Sequence, residues 1–406
     1  MPVSSNYRAA PRITSLGDGF YEEVLPAKFP KHELRFRNEK WAEKIGLGEL
    51  SAEEWEAHFA RFEPLPDNLP KPLALGYHGH QFDVYNPQIG DGRGFLFAQL
   101  EEKSASGTRL LDLGTKGSGR TPFSRSGDGK LTLKGGVREV LATEMLEALG
   151  VNTSKTLSLF ETGQALMRGD EPSPTRSSVL VRLGHSHIRF GTFQRLAFER
   201  DVPRLEKLLA YSVENYFPEL LNSSQKVPDF LRAVARRVAD LTASYMVAGF
   251  VHGVLNSDNM TITGESFDYG PYRFLPTYDL KFTAAYFDET GLYAFGNQPR
   301  AMFRNLVRLA EALRPLMPDL AIGDVYGDFE ALLDKAIETK LLRRLGLESN
   351  GAIDAELVGT AFGFLNASEI GYERFFFDLY GGLAREEKLL AGDTKHHYTG
   401  EAWKAL

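Results

Sequence analysis

The sequence predicts an α+β fold in two lobes, a strand-rich N-terminal lobe and a largely helical C-terminal lobe. Short apolar runs bounded by glycine-rich turns, which are typical of buried strands, are concentrated in residues 71–195. Longer segments with apolar residues at helical spacing occupy much of residues 196–406. Residues 1–70 are rich in proline, arginine and aromatic side chains, and we expect them to form an extension that packs on the main body.

The composition is that of an ordinary globular protein, with 43% hydrophobic and 25% charged residues in a chain of 406. A net charge of −7 argues against a general nucleic-acid binder. Cysteine is absent, which excludes disulfides and thiol chemistry and fits a reducing compartment. No apolar run reaches the roughly 18 residues of a membrane span, and no secretory signal is recognisable. We therefore expect a cytoplasmic protein with neither nucleic acid nor membrane as a partner.

One helix is predicted in the extension, over residues 51–62, because Ser51 and Glu54 match a capping box. Two histidines at alternate positions, His78 and His80, follow the extension. They resemble zinc ligands on a strand, but a zinc site needs three or four ligands and no further histidine stands near them. We therefore favour a structural role for both.

A glycine-rich turn opens the strand-rich lobe at residues 89–94. A tight hairpin is the simpler interpretation of such a turn, and its neighbours make it more specific. Two strand-like runs follow at residues 95–100 and 108–113, joined by a polar turn, and the second ends near Lys116. A helix that ends at Gly150 comes next, and one side of it carries Val137, Val140, Leu141, Met145 and Leu149.

Glu139 lies on a different face of that helix. A glycine loop, a strand, a turn, a strand with a lysine and a helix with a glutamate is the order of a protein-kinase N-terminal lobe. Glycines let the backbone approach phosphate oxygens, the lysine neutralises them, and the glutamate holds the lysine. The order therefore predicts a nucleotide site that includes Lys116 and Glu139.

Residues 114–121 are similar to a phosphate-binding P-loop, with Pro122 placed to begin a following helix. Arg120 stands where the motif requires lysine, and the planar guanidinium does not reproduce a compact ammonium charge. We therefore disfavour a P-loop enzyme. Arg120, Arg125 and Lys130 lie among many glycines, which suits a loop that wraps a triphosphate, and a flexible charged loop is the alternative.

Arg182 and Arg189 flank a turn that follows a strand-like run at residues 179–183. Paired arginines are suited to bidentate recognition of phosphate, although two surface arginines are the commoner case. His185 and His187 lie between them, and we interpret both as turn residues.

The C-terminal lobe is predicted to contain helices over residues 229–250, 300–316, 329–345 and 356–365. The first leads to His252 and Asn259, which have the spacing of a kinase catalytic loop. Val254 occupies the position of the usual catalytic aspartate and can accept no proton. Asp258 offers a carboxylate nearby.

Asp268, followed by tyrosine and glycine, stands where kinases have the Asp-Phe-Gly motif. The segment between Asn259 and Asp268 alternates apolar residues around Gly264 and predicts a β-hairpin. Such a hairpin would bring the two side chains together as oxygen ligands for magnesium, a cation that substrate phosphates complete.

The motifs together resemble the selenoprotein O family of protein adenylyltransferases, over a stretch from about Tyr77 to Gly270 and beyond. They are Gly90-Asp-Gly-Arg-Gly94, Lys116-Gly-Ser-Gly-Arg-Thr-Pro122, Ser124-Arg-Ser-Gly-Asp-Gly129, Ser186-His-Ile-Arg-Phe-Gly191, His252-Gly-Val-Leu-Asn-Ser-Asp-Asn259 and Asp268-Tyr-Gly-Pro271. The resemblance implies a kinase-like fold that holds ATP in a flipped orientation. It also implies Mg²⁺ or Mn²⁺ as cofactor and transfer of AMP to Ser, Thr or Tyr hydroxyls of protein substrates.

Residue by residue, the resemblance implies that Asp258 accepts the proton, that Asn259 and Asp268 hold the metal, and that Glu139 pairs with Lys116. The nucleotide contacts it implies are Gly90, Gly92, Arg93, Lys116, Asp128, Gly129, Arg182 and Arg189. Two departures stand out. The family's C-terminal cysteine or selenocysteine has no counterpart in this cysteine-free chain, and Asp83 replaces a usual glycine.

Two alternatives remain open from the sequence. The same phosphate ligands would permit uridylyl transfer from UTP with manganese. A catalytically silent, pseudokinase-like scaffold that only binds nucleotide is the other alternative.

Overall fold

The computed structural model describes residues 3–104, 107–351, 353–382 and 386–406. Part of the predicted polar turn, residues 105–106, lies outside the described residues. The strands are β1 (Tyr21–Glu23), β2 (Glu33–Arg37), β3 (Leu73–Leu75), β4 (Gly79–Gln81), β5 (Val84–Asn86), β6 (Leu96–Ser104), β7 (Gly107–Lys116), β8 (Leu131–Thr132), β9 (Lys155–Leu166), β10 (Thr175–Gly184), β11 (Phe250–His252) and β12 (Tyr272–Phe274).

The helices of the N-terminal half are α1 (Glu39–Lys44), α2 (Ala52–Phe59), α3 (Leu133–Ala148), α4 (Phe190–Phe198) and α5 (Val202–Tyr216). Those that follow are α6 (Lys226–Ala248), α7 (Gln298–Leu313), α8 (Ile322–Tyr326), α9 (Phe329–Leu345), α10 (Asp354–Ser368), α11 (Tyr372–Asp378), α12 (Glu386–Ala391) and α13 (Gly400–Ala405).

An antiparallel sheet forms the N-terminal lobe, with strands in the order β1, β3, β6, β7, β10, β9, β2, and β8 pairs with β10 beside this path. Helices make up most of the C-terminal lobe, so the predicted two-lobed α+β fold is confirmed. The two edge strands, β1 and β2, come from the first 70 residues, which therefore complete the sheet. The division of the chain at residues 70 and 195 stays a prediction.

The extension is held to the sheet by an apolar cluster that includes Trp41, Trp55 and Phe59 on the helix side and Phe97 and Val181 on the sheet side. Trp55 is fully buried, and its indole N–H donates to a serine hydroxyl of β9 at 3.0 Å. Burial of aromatic side chains of this size is the main stabilising contribution of such a contact. The predicted capping box at the start of α2 is present.

Helix α3 differs from its predicted packing. Its buried face carries Glu139, while Val137, Leu141 and Met145 are 41%, 60% and 37% exposed. Gly136 lies where α3 approaches the sheet, since an added Cβ there would come within 2.6 Å of a neighbouring side-chain oxygen. The buried side chains of α3 include the polar Glu139 and Thr143 besides the small Ala142 and the apolar Leu146, and the predicted apolar stripe does not mark the buried face.

The predicted C-terminal helices are present. Helix α9 has the predicted bounds, α10 extends beyond its predicted bounds at both ends, and α6 begins and ends a few residues before its predicted bounds. The segment predicted at residues 300–316 is α7 followed by a 3₁₀ turn. Gly249 ends α6 in a left-handed conformation, which turns the chain into β11. Among the described helices, none combines the length and the apolar character needed to cross a bilayer.

Candidate active site

A cavity of about 680 Å³ lies between the lobes. Most of the predicted site residues line it: Gly90, Gly92, Arg93, Lys116, Asp128, Gly129, Arg182, Arg189, Asp258 and Asp268. Glu139 lies behind the wall and contacts Lys116, and Asn259 lies beside Asp258 but is not part of the lining. The fold therefore brings residues from distant parts of the chain to one place, while their roles stay predictions.

Lys116, at the end of β7, is the centre of the charge network in this cavity. Its ammonium group contacts the carboxylates of Glu139 from α3 and Asp268 from the C-terminal lobe. Arg182 faces the same side of the sheet, because it is paired with Gly114, two residues before Lys116 on the neighbouring strand. Strand register thus places both cations on one wall.

Asp268 remains ionised in this environment. Burial alone would raise its pKa, but Lys116 and Arg182, with further arginines, hold the pKa well below its usual range. Arg182 Nη1 lies 4.0 Å from Asp268 Oδ1 and has no hydrogen-bond partner among the residues that the structure describes. A buried guanidinium nitrogen without a partner is free to bind an incoming anion.

Arg189 is more fully engaged by the protein. Its Nη1 donates to the backbone oxygen of Asp258 at 2.9 Å, and its Nη2 donates to Asp91 at 3.3 Å. The guanidinium carbon lies 4.3 Å from the centre of the Tyr77 ring and 4.8 Å from that of Phe267. This arginine therefore joins the glycine loop to the loop that carries Asp258.

Asp258 lies in a 3₁₀ turn, Ser257–Asn259, after β11. Burial raises its pKa to about 6, although the nearby Arg189 acts in the opposite direction. Its Oδ2 accepts a hydrogen bond from Gln81 at 3.3 Å. Its Oδ1 is buried and has no partner within the described part of the chain. That oxygen has the free lone pairs that a proton acceptor needs.

The predicted hairpin between Asn259 and Asp268 is wrong. Thr261 pairs with Arg189, and Ser266 pairs with Thr153, so the bridges of both arms are formed with other elements. The arms meet in a turn, in which the Gly264 N–H donates to the Thr261 backbone oxygen at 3.2 Å, but they do not pair as strands. The apolar residues do alternate in the sequence, but each arm pairs with a residue far away in the chain. A hairpin therefore cannot be the reason for placing Asn259 next to Asp268.

The residues nevertheless fit a divalent cation. Asn259 Nδ2 donates to the backbone oxygen of Val254 at 2.9 Å, which leaves its amide oxygen available, and Asp268 is a deprotonated carboxylate. No group of three or more His, Asp or Glu side chains forms a metal cage in the described ranges. The donor set thus suits a cation that phosphates and water complete, as Mg²⁺ usually requires.

Two sequence alternatives find no support in the geometry. Residues 114–122 end β7 and enter a loop, and no helix begins at Pro122, so they do not form a P-loop. His78 donates to or accepts from the Tyr85 hydroxyl at 2.8 Å, and His80 bonds to Gln194 at 2.8 Å. Both histidines therefore have structural partners.

Sequence reasoning assigned no function to several residues of the cavity wall, among them Arg168 and Gln81. Arg168, between β9 and β10, makes a bidentate ion pair with Asp128 at 2.9 and 3.2 Å. Gln81 donates a hydrogen bond to Asp258. Arg168 lies in a charged loop that matches no motif, and Gln81 follows two histidines that are the more usual candidates for a functional site.

The comparisons with known proteins agree with the predicted resemblance. The family described as "Protein adenylyltransferase SelO" matches residues 3–396. A protein nucleotidyltransferase YdiU of Synechocystis is 48% identical over 92% of this chain and 79% of its own length. Proteins of the same name from Trichodesmium erythraeum and Stutzerimonas stutzeri are 49% and 36% identical, over 93% and 91% of this chain and 80% and 74% of their own lengths.

Among solved structures, a Toxoplasma gondii rhoptry antigen kinase domain aligns with 72% of this chain and 83% of its own, at 12% identity. Its TM-score of 0.28 is too low to bear on the fold. Nucleotide substrates and divalent metals are general in such transferases. The sequence matches, extending over nearly the whole chain and including the cavity described above, establish that this protein belongs to the SelO family and is a protein nucleotidyltransferase, an enzyme that transfers a nucleotide onto proteins.

Proposed function

We propose that this enzyme transfers AMP from ATP to Ser, Thr or Tyr hydroxyls of proteins and releases pyrophosphate, with Mg²⁺ or Mn²⁺ as cofactor. The observation that carries the proposal is the unpartnered Oδ1 of Asp258 beside a wall of cations. A kinase has its base four residues earlier in this loop, at the position of Val254. Because the carboxylate of Asp258 lies at a different position from the kinase base, it favours attack at the α-phosphorus in place of the γ-phosphorus.

The cations determine where the phosphates are held. Lys116, Arg182 and Arg189 line the cavity, and the free Nη1 of Arg182 suits an oxygen of the terminal phosphates. With the β- and γ-phosphates on these cations, the α-phosphate is left toward the loop that carries Asp258. Binding in this sense makes pyrophosphate the leaving group, and the same cations stabilise its charge as it develops.

The chemical step balances with one proton acceptor. The acceptor hydroxyl oxygen forms a bond to the α-phosphorus, the bond between that phosphorus and the bridging oxygen breaks, and pyrophosphate leaves with the electron pair. The Asp258 carboxylate takes the hydroxyl proton. Asn259 and Asp268 would hold the divalent cation, which supplies positive charge to the phosphate oxygens when it is bound.

Labelled nucleotides test the proposal. Purified enzyme with Mg²⁺ or Mn²⁺ is incubated with a protein acceptor and with ATP labelled at either the α- or the γ-phosphate. We expect label from the α position alone and a mass increase equal to AMP on a Ser, Thr or Tyr residue. Label from the γ position would refute the proposal and indicate a kinase.

Parallel incubation with α-labelled UTP and Mn²⁺ addresses the uridylyl alternative. More rapid labelling from UTP than from ATP would replace AMP by UMP in the proposal. The membership of a nucleotidyltransferase family supports an enzyme over the silent scaffold. The cytoplasmic location expected from the sequence stays a prediction.

A further inference from the structure

A small hairpin of the N-terminal lobe, β4 and β5, lies directly on the loop that carries Asp258. The backbone N–H of His80 donates to the Ser257 hydroxyl at 2.8 Å, and the backbone N–H of Phe82 donates to Asn256 Oδ1 at 3.1 Å. Both acceptors are buried, so these hydrogen bonds are shielded from water. The hairpin is thus hydrogen-bonded to Asn256 and Ser257, the two residues before Asp258.

The hairpin also touches Asp258 itself. A Cβ added at Gly79 would lie 2.8 Å from Asp258 Oδ1 and 2.9 Å from its Cβ, which leaves no room for a larger residue. The Gln81 side-chain amide, from the same strand, donates from Nε2 to the other carboxylate oxygen, Asp258 Oδ2, at 3.3 Å. Gln81 and Asp258 both line the nucleotide cavity.

A backbone group fixes the direction of this hydrogen bond. The N–H of Gln88 donates to Asn86 Oδ1 at 2.9 Å, and a backbone N–H can only donate. The oxygen of the Asn86 amide therefore faces Gln88, and its Nδ2 donates to Gln81 Oε1 at 3.1 Å. The amide of Gln81 is left with only its NH₂ group to present to Asp258.

The tip of the hairpin is held in an unfavourable conformation. Phe82 and Asp83 both have positive φ, 48° and 65°, as in a two-residue turn that normally prefers asparagine and glycine. The Phe82 ring packs on Tyr293, and the Asp83 carboxylate pairs with Arg304 and Arg308 of α7. Strain of this kind is retained where the surroundings enforce it, and it is frequent at functional sites.

From this geometry we propose that Gln81, oriented by Asn86, is a positioning residue that holds the Asp258 carboxylate through Oδ2 in the orientation needed to take the proton of the acceptor hydroxyl. The inference rests on the proposed function, in which Asp258 takes the hydroxyl proton. Gln81 acts through Asp258 and forms no bond to the reacting atoms. Its loss should therefore reduce the rate of transfer and leave nucleotide affinity intact.

Two substitutions test this role by different routes. Gln81→Leu removes the donor, and we expect kcat to fall roughly 10- to 100-fold, as is usual when a group that orients a functional side chain is lost. Asn86→Asp keeps the size of the side chain but offers Gln81 an acceptor. The Gln81 amide then turns its oxygen toward Asp258, and we expect a loss of kcat of the same order.

The measurements are kcat for transfer, the Kd for ATP and the melting temperature of each purified full-length variant. The Kd for ATP is expected to change less than about twofold, because neither substitution removes Lys116, Arg182 or Arg189. Val84→Thr, at a 70% exposed position of β5, is the matched control and should leave kcat unchanged. Comparable melting temperatures show that the variants are folded.

The double variant distinguishes positioning from simple support of the hairpin. In the Gln81→Leu background, Asn86→Asp should reduce kcat no further, because the amide whose direction it sets is absent. Independent, multiplicative losses would overturn the inference, and so would a Gln81→Leu enzyme with the wild-type kcat. If Gln81→Leu does not fold, Asn86→Asp alone decides, and a wild-type kcat in that variant overturns the inference.

Failure of this inference is distinguishable from failure of the proposed function. Transfer from α-labelled ATP with an undiminished rate in Gln81→Leu refutes only the positioning role. An Asp258→Asn variant that retains the wild-type rate refutes the proposed base, and the inference about Gln81 falls with it.

Discussion

Removal of Lys116 should separate the stability of the active site from its capacity to bind nucleotide. Lys116 contacts Glu139 and Asp268, and the side chains of Lys116 and Glu139 are 7% and 3% exposed. In Lys116→Met, Asp268 keeps nearby arginines, whereas Glu139 loses the one ion pair found for it in the described structure. The variant therefore contains an uncompensated buried carboxylate.

The size of the effect follows from that carboxylate. Breaking a buried ion pair by removing one partner typically destabilises a protein by about 3–5 kcal/mol. Protonation limits the loss, because protonating an ordinary glutamate at pH 7 costs about 4 kcal/mol. We therefore expect the free energy of unfolding of Lys116→Met to fall by about 3–4 kcal/mol at pH 7, measured by urea denaturation.

A compensating substitution provides the control. Glu139→Gln in the Lys116→Met background removes the unpaired charge, so most of the lost stability should return. Calorimetry with Mg-ATP should detect weakened binding in both variants, because both lack the Lys116 ammonium group that would contact the phosphates. A loss of less than about 1 kcal/mol in Lys116→Met, or wild-type ATP affinity in the double variant, would refute the assignment.

Three further predictions concern other groups. Asp268→Ala should abolish the metal dependence of ATP binding without unfolding the protein, and unchanged Mg-ATP affinity in calorimetry would refute its role as a metal ligand. Burial raises the pKa of Glu265 from 4.5 to about 7, so the folded state loses stability as the pH rises through this interval. Glu265→Gln should therefore match wild type near pH 4 and exceed its free energy of unfolding by about 3 kcal/mol at pH 8, and a constant difference across this range would contradict the burial argument. Thiol reagents and reductants should leave activity unchanged, since the chain has no cysteine, and a dithiothreitol-sensitive activity would contradict this.

Local patterns in the sequence were sufficient for the order of the two lobes and for several of their elements. The capping box of α2 and the bounds of α9 follow from spacing within a few turns of chain. The position of Lys116 relative to Arg182 follows from strand register once the strands are known. The capping box and the helix bounds depend on neighbouring residues, which is why pattern analysis reaches them, whereas the strand register depends on a long-range contact.

The errors have a common physical origin in long-range contacts. Val137, Leu141 and Met145 form an apolar stripe, yet α3 buries the face with Glu139, because that carboxylate pairs with a lysine from another element. The segment before Asp268 alternates like a hairpin, but Thr261 pairs with Arg189 instead. In each case a partner far away in sequence determines the outcome.

The position of Asp258 depends on the same kind of contact. His252 is buried, its Nδ1 accepts from the Val254 N–H at 3.3 Å, and its Nε2 donates to the Phe267 backbone oxygen at 3.2 Å. This neutral imidazole, whose pKa burial lowers, therefore fastens the loop before Asp258 to the residue before Asp268.

Arg189 completes this arrangement from the other side. Its two bonds, to the Asp258 backbone and to Asp91 in the glycine loop, require a planar group that donates in two directions while it stacks on aromatic rings. A lysine ammonium cannot meet these requirements together, since it is a point charge without a stacking face. The residue type at position 189 is therefore determined by the geometry of the proposed base as well as by the charge of the phosphates. Arg189, Asp91 and Asp258 are far apart in sequence, but their hydrogen bonds join them into one structural unit.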